Sequence, residues 1–286
     1  MDRNLAQRVA FAAVAIPVVL AVVWYGGWLL VGLAMVVAVL GAHELYGLAR
    51  RTGVTPLDAP GLAGAALVPP AVYSVLKDPA GPVGVAWPYA AALWLVGLLS
   101  VALWRRGPSD RPLEAVAVTL LAVAYAGALP AFLIDIRHGS HETRSWAGAW
   151  LVFFPLVVTW VCDTAAMFAG RAIGGPKLAP TVSPGKTRVG GVAGVVGALV
   201  VAPVFSAFVF PRVGLTVPLT ALLVIAAVIA VAGQVGDLAE SLFKRQAGVK
   251  DSSHLIPGHG GVLDRLDALY FVIPVTAALY RAFGVR

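Results

Sequence analysis

Nine long apolar runs dominate this sequence and set its class of fold. They occupy residues 8–25, 28–49, 61–76, 87–104, 113–133, 146–170, 190–210, 215–238 and 262–283. A helix that crosses a bilayer needs about 20 mostly apolar residues, and the runs lack the alternation of membrane-barrel strands. Charged residues make up only 12% of the chain, against about 25% in soluble domains. The sequence therefore predicts an all-α, polytopic integral membrane protein with about nine transmembrane helices.

The positions of the basic residues predict how these helices are oriented. If all nine runs cross the membrane, 15 of the 21 Lys and Arg residues lie on the side of the N-terminus and 6 on the other side. Cytoplasmic loops carry the excess of Lys and Arg, so we expect a cytoplasmic N-terminus in a multi-pass protein of the cell inner (cytoplasmic) membrane. The net charge of +7 then reflects topology and attraction to anionic lipid. It does not indicate nucleic-acid binding.

Polar residues inside the runs are distributed unequally between the two halves of the chain. Residues 1–145 hold few of them, Glu44 being the main exception, whereas residues 159–267 concentrate them. We expect residues 1–145 to form an N-terminal scaffold of about five spans. Residues 146–286 should form the catalytic region, with about four spans and cytoplasmic loops. Cys162 is the only cysteine, which excludes an intramolecular disulfide and a Cys-based zinc site.

The densest polar stretch joins the eighth run to the ninth. If the eighth helix continues past Asp237, then Ser241 and Lys244 lie on the same helix face at i+4 and i+7. Asp264 and Asp267, spaced i, i+3, should share a face at the start of the ninth run. Three carboxylates near one membrane boundary repel one another unless a cation neutralises them, and such oxygen ligands suit Mg²⁺. The alternative is that they pair with nearby Lys and Arg residues.

Further polar groups lie in the sixth run and in two glycine-containing loops. Asp163 is inside the sixth run, where a carboxylate is costly unless it faces protein or water. Residues 257–261 contain three glycines, whose backbone N–H groups can approach an anion, although a tight turn has a similar composition. Residues 170–188 combine small and basic residues, which suit a polyphosphate or serve as a cytoplasmic anchor. The spacing of a P-loop is absent there.

These segments resemble a known enzyme family. Residues 241–267 read SLFKRQAGVKDSSHLIPGHGGVLDRLD and are similar to the signature of the phosphatidate cytidylyltransferase (CDP-diacylglycerol synthase) family, with its spacing intact over 27 residues. Residues 162–165, 170–171 and 183–187 resemble family segments in the same order. Val189 stands where the family commonly has Glu, and Ala165 where it usually has Gly. No role of that Glu is therefore carried over to this chain.

The resemblance implies a nucleotidyltransferase that condenses CTP with phosphatidate to give CDP-diacylglycerol and diphosphate in phospholipid biosynthesis. It implies a requirement for Mg²⁺, allows a second, monovalent cation such as K⁺, and is compatible with a homodimer. Phosphatidate stays in the bilayer while CTP is cytosolic, so the active site should face the cytoplasm and open to both phases.

The chemistry of the residues and the resemblance together select the candidate site residues. The expected catalytic residues are Asp237, Ser241, Lys244, Asp264 and Asp267. The expected metal ligands are Asp237, Asp264, Asp267 and Asp163, although Asp163 could instead orient a cavity water. The expected contacts to substrate are Ser183, Lys186, Thr187, Arg245, Lys250, His259, Gly260, Gly261 and Arg265.

Two other functions fit part of this pattern. A cation- or proton-coupled membrane transporter also places acids in broken membrane helices, but it predicts polar residues near mid-membrane in both halves of the chain. A CTP-dependent lipid kinase would use the same nucleotide and transfer its γ-phosphoryl group instead. A purely structural membrane protein would not explain the acids inside the runs.

Overall fold

Helices make up most of the chain. The computed structural model describes residues 3–256 and 260–285. The α-helices are α1 (Arg3–Tyr25), α2 (Gly27–Arg51), α3 (Asp58–Lys77), α4 (Pro82–Arg105), α5 (Pro112–Ala122), α6 (Leu129–His138), α7 (Trp146–Ile173), α8 (Arg188–Val204), α9 (Leu219–Gln246), α10 (Val262–Leu266) and α11 (Leu269–Phe283). Short π-helical turns, Val123–Ala128 and Phe205–Val209, continue α5 into α6 and extend α8. The strands are β1 (Lys177–Ala179) and β2 (Ser183–Thr187).

The membrane-spanning segments follow the predicted apolar runs. Of the described residues, seven helical segments are long and apolar enough to cross a membrane. They are Gly27–Arg51, Asp58–Lys77, Pro82–Arg105, Pro112–His138, Trp146–Ile173, Arg188–Val209 and Leu219–Gln246, which match the second to eighth runs. Two shorter apolar helices, Ala13–Tyr25 and Leu269–Phe283, match the first and ninth. The all-α, polytopic membrane class is confirmed.

Two local features differ from the sequence prediction. The ninth run is interrupted, because α10 ends at Leu266 and α11 begins at Leu269. The expectation that Asp264 and Asp267 share a face of one continuous helix is therefore wrong. Asp267 Oδ1 accepts a hydrogen bond from the Ala268 N–H at 2.7 Å, a local bond that competes with continued helix. In addition, residues 177–187, expected as a loop, form an antiparallel hairpin between β1 and β2.

The chain divides into two compact units. Unit 1 comprises Met1–Val22, Gly27–Asp135 and Gln246–Arg265, and unit 2 comprises Val23–Gly26, Ile136–Arg245 and Leu266–Arg286. Unit 1 has small buried clusters between its helices, such as Val31 and Ala34 of α2 with Tyr73 of α3 and Ile134 of α6. These side chains come from helices that are distant in sequence, so the apolar core of unit 1 depends on tertiary packing.

In unit 2, helices α7 and α8 pack closely through glycines of α8. A Cβ at Gly190 would lie 2.7 Å from the Ala166 carbonyl oxygen, and one at Gly194 would lie 2.9 Å from Cys162 Sγ. Small residues permit such close approach of membrane helices. Gln234 of α9 donates from Nε2 to the Gly191 carbonyl oxygen at 3.1 Å, which links a third helix to this pair. The polar residues of α7, β2 and α9 therefore project from a tightly packed scaffold.

Candidate active site

Helix α9 carries the central polar residues of unit 2. It continues to Gln246, so the condition for the predicted stripe of Asp237, Ser241 and Lys244 is confirmed. Ser241 Oγ donates to Asp237 Oδ1 at 3.3 Å, one turn along the helix. Lys244 Nζ lies 3.1 Å from Glu240 Oε1, and both side chains are buried. The polar end of α9 thus extends inside the protein beyond Asp237.

The hairpin places a lysine ammonium group beside Asp237. Lys186 of β2 forms an ion pair with Asp237 Oδ2, and the two side chains keep 30% and 27% of their surface exposed. The end of β2 is fixed because the Thr187 hydroxyl caps α8, accepting from the Gly190 N–H at 3.0 Å. The sequence placed Lys186 and Asp237 in the same site without predicting that they pair.

Three carboxylates and two ammonium groups of unit 2 interact electrostatically. The charges of Asp163, Asp237 and Asp267 act on one another, while Lys186 acts on Asp163 and Lys244 acts on Asp267. The acids come from α7, α9 and the turn between α10 and α11. Within the described residues, no three acidic, His or Cys side chains are grouped closely enough to enclose a metal ion. The five charged groups therefore form a dispersed cluster, which we call the carboxylate cluster.

Other predicted residues of unit 2 support the hairpin. Ser183 begins β2 and pairs in register with Ala179. The exposed Arg245 donates from Nε to the Val182 carbonyl oxygen at 3.1 Å, which ties the end of α9 to the hairpin connection. Thr187 is 5% exposed, and its hydroxyl oxygen serves the cap of α8. Ser183 and Thr187 thus belong to the same strand as Lys186, and Arg245 contacts the turn between β1 and β2.

Asp264, in unit 1, has partners of another kind. Its Oδ2 accepts from the Ser252 N–H at 2.8 Å, the Ser252 hydroxyl at 2.7 Å and the Gly261 N–H at 2.8 Å. Gly260 has φ +82°, and a Cβ there would lie 2.7 Å from Asp264 Oδ2, so this turn requires glycine. The Gly261 N–H, which was predicted to approach an anion, donates to Asp264 instead. The carboxylate thereby closes the loop that precedes α10.

Glu44 of α2 is the functional candidate that sequence reasoning left without a role. It is 4% exposed and accepts hydrogen bonds from the Ser252 and Ser253 hydroxyls and from the Val262 and Leu263 N–H groups. A lone acid near the end of an apolar run was the only signal for it in the sequence.

The remaining predicted contacts of unit 1 lie at its surface. Lys250 and Arg265 are exposed, at the two ends of the segment that Asp264 and Glu44 organise. His259 lies outside the described residues.

Comparison with known proteins identifies the family. Residues 6–283 match the model of the Cytidylyltransferase family. The chain belongs to the cytidylyltransferase family. The resemblance drawn from residues 241–267 is thereby confirmed, and the match extends through both units of this cytidylyltransferase.

Proteins named phosphatidate cytidylyltransferase are similar to this chain. Those of Haemophilus influenzae, Bacillus subtilis and Staphylococcus epidermidis are 37%, 39% and 32% identical over 194, 171 and 273 residues. The aligned segments cover 68%, 60% and 94% of this cytidylyltransferase and 65%, 60% and 96% of the respective relatives. The chain thus spans less than two thirds of the length of the first two relatives and nearly all of the third.

Proposed function

We propose that this cytidylyltransferase condenses CTP with phosphatidate to give CDP-diacylglycerol and diphosphate. The observation that carries the proposal is the carboxylate cluster, in which Lys186 pairs with Asp237 and the charges of Asp163 and Asp267 act on Asp237. It lies within a family match over residues 6–283. The relatives named phosphatidate cytidylyltransferase supply the substrate class.

We propose that the carboxylate cluster binds a magnesium ion. Mg²⁺ keeps several waters and is bound through one or two carboxylates together with substrate phosphates, so separated acids suit it. We propose Asp237, Asp267 and Asp163 as ligands, and the family resemblance is the ground for proposing Asp264 as well. When bound, the ion neutralises charge on the phosphates and on the departing diphosphate. A K⁺ ion is a further proposal drawn from the family resemblance.

The reaction depends on positioning the two substrates and neutralising their phosphate charge more than on proton transfer. A phosphate oxygen of phosphatidate attacks the α-phosphorus of CTP in line. The new P–O bond forms as the bond from the α-phosphorus to the bridging oxygen breaks, and diphosphate leaves with the electron pair. A phosphate monoester is largely ionised at neutral pH, since its second pKa is about 6, so no strong base is required. Lys186 and Lys244 would offset the phosphate charge, and Ser241 would orient Asp237.

We also propose an arrangement in the membrane. Nine segments cross it, the N-terminus is cytoplasmic, and the site opens to the cytoplasmic face of the inner membrane. In a Cys162→Ala background, Ser109→Cys lies between α4 and α5, and Ser140→Cys follows α6. A membrane-impermeant maleimide added to intact cells should label Ser140→Cys alone, and labelling of Ser109→Cys instead would reverse the orientation. Cross-linking in native membranes would test the proposed homodimer.

Lipid labelling with isotopic CTP tests the activity. Purified protein in detergent receives phosphatidate and CTP labelled at the α- or the γ-phosphorus, with and without Mg²⁺. We expect Mg²⁺-dependent transfer of the α-label into lipid, loss of transfer in Asp237→Asn, and normal transfer in Asp78→Asn, an exposed acid between α3 and α4. Transfer of the γ-label alone would indicate a lipid kinase. No transfer from either position, in folded protein, would favour a transporter.

A further inference from the structure

Glu44 joins α2 to a segment more than 200 residues away in sequence. Its Oε1 accepts from the Ser253 hydroxyl at 2.8 Å and from the Val262 N–H at 2.9 Å. Its Oε2 accepts from the Leu263 N–H at 2.9 Å and lies 2.9 Å from the Ser252 hydroxyl, whose single proton it shares with Asp264 Oδ2. All four donors belong to unit 1, as Glu44 does. Each carboxylate oxygen is therefore bonded to one loop hydroxyl and one backbone amide of α10.

These bonds satisfy two demands at once. The first amides of a helix have no partner within the helix, and α10 is only five residues long, so it has little internal support. A buried carboxylate is costly unless hydrogen bonds replace its water. Glu44 provides the acceptors that α10 lacks, and its negative charge is favourable at a helix start. The loop and α2 thus stabilise each other.

Ser252 connects Glu44 to Asp264. Its Oγ lies 2.9 Å from Glu44 Oε2 and 2.7 Å from Asp264 Oδ2, and its N–H also donates to Asp264 at 2.8 Å. The position of the Asp264 carboxylate therefore depends on the residue that Glu44 holds. A Cβ at Gly261 would overlap both Glu44 Oε2 and Ser252 Oγ. Glycine at 261 is thus explained by the approach of Glu44, without a bound phosphate.

We propose that Glu44 is a positioning residue for the nucleotidyl transfer. By holding Ser252, Ser253, Val262 and Leu263 against α2, it keeps Asp264 and the adjacent Arg265 in place. The inference rests on the proposed function, and it adds to the reaction a residue of the N-terminal half that is far from the family signature in sequence but bonded to it. The backbone amides of Gly261, Val262 and Leu263 donate to Asp264 and Glu44. These three amides therefore already have carboxylate acceptors and do not offer a site for a substrate phosphate.

Kinetics of Glu44 variants test the positioning role. Glu44→Ala removes all four hydrogen bonds and should lower kcat by about 100-fold, the scale of a displacement of roughly 1 Å at a reacting group. Glu44→Gln keeps one carbonyl acceptor and should retain clearly more activity than Glu44→Ala. Both should need more Mg²⁺ for half-maximal rate, because Asp264 is displaced. Glu114→Gln, which alters an exposed pair with Arg111 of the same unit, should match the wild type.

Hydrogen exchange read by mass spectrometry gives a second readout that does not need activity. In the wild type, peptides covering residues 252–263 should be protected at the amides bonded to Glu44 and Asp264. In Glu44→Ala, their exchange should accelerate by about tenfold or more, on the scale of a local opening, while peptides of the β1–β2 hairpin stay unchanged. If Glu44→Ala does not fold, Ser253→Ala removes one of the four bonds from the loop side and should produce a smaller change of the same kind.

The two readouts separate the failure of this inference from that of the proposed function. Faster loop exchange together with reduced kcat and a raised Mg²⁺ requirement supports the positioning role. Full activity in folded Glu44→Ala, or reduced activity with unchanged loop exchange, overturns it. If the wild type transfers no label, the proposed function fails. In that case hydrogen exchange still tests the contact, because equal loop exchange in Glu44→Ala and the wild type would show that Glu44 does not hold the loop.

Discussion

Asp237 of unit 2 and Asp264 of unit 1 are both predicted site acids, but they have different partners. Asp237 contacts side chains, namely Lys186 and Ser241, and retains part of its surface. Asp264 is 8% exposed, and its Oδ2 accepts from two backbone amides and a serine hydroxyl. A carboxylate among mobile side-chain partners can exchange them for a cation or a phosphate-bound ion. A carboxylate bonded to backbone amides must disturb the loop to do so.

The comparison indicates that the predicted acids are of two kinds. In unit 2 the acids repel one another and are balanced by Lys186 and Lys244, which is the electrostatic setting expected at a site for charged substrates. In unit 1, Asp264 and Glu44 act as acceptors for a loop and a short helix. The residue type and the sequence spacing of these acids do not reveal this difference. Substitutions that remove charge should therefore separate activity from stability differently in the two units.

The largest effect should come from Asp237→Asn. Removing this charge from the centre of the carboxylate cluster should lower kcat by about 10³-fold, comparable to the loss of a group that stabilises a charged transition state. The free energy of unfolding should change by less than about 1 kcal/mol, because the pair with Lys186 is partly exposed. Initial rates of lipid labelling and thermal unfolding in detergent measure the two quantities. Activity within tenfold of wild type would remove Asp237 from the site.

Asp264→Asn should reduce both activity and stability. The amide cannot accept all three hydrogen bonds as a carboxylate does, so buried donors lose a charged partner, at a cost of about 1–3 kcal/mol. We expect kcat to fall by about 100-fold. The measurement is thermal unfolding of Asp264→Asn compared with that of Asp237→Asn. Equal stability of the two variants would contradict the distinction between the two acids.

Lys186→Gln should have an intermediate effect confined to catalysis. It leaves Asp237 without its ammonium partner and removes a positive charge from the proposed phosphate contacts, so kcat/KM for CTP should fall roughly 10- to 50-fold. Lys186→Arg preserves the charge and should lose less. Steady-state kinetics over a range of CTP concentrations provides the measurement. An unchanged kcat/KM in Lys186→Gln would mean that the ion pair serves only the fold.

The smallest effect should be a change in stability at the close contact of α7 and α8. In Gly194→Ala the new Cβ meets Cys162 Sγ and the Cys162 carbonyl oxygen at 2.9 Å and 3.0 Å, and overpacking of this kind costs about 1–3 kcal/mol. Gly97→Ala in α4 meets nothing within 4 Å and should be neutral or stabilising by up to about 1 kcal/mol. Thermal unfolding of both variants tests the pair, and a stable Gly194→Ala would show that the helices can separate at no cost.

Much of the fold was predictable because hydropathy is a local property. The apolar runs coincide with the membrane helices, and α9 extends past Asp237 as the stripe requires. The interruption at Asp267 was not predicted, since it depends on a hydrogen bond from the backbone of the next residue. The β1–β2 hairpin was missed because its eleven residues include two Pro, one Gly and one Ser, residue types that favour turns and loops.

The sequence by itself determined the membrane class, the approximate helix positions, the family and the candidate acids. Tertiary structure decided which of these residues meet. Lys186 and Asp237 are 51 positions apart, and Glu44 lies 219 positions before Leu263, so no local spacing encodes either contact. Helices separated by long stretches of chain pack according to the shapes of their apolar and glycine surfaces. That packing set Asp237 beside Lys186 and Glu44 beside the first amides of α10.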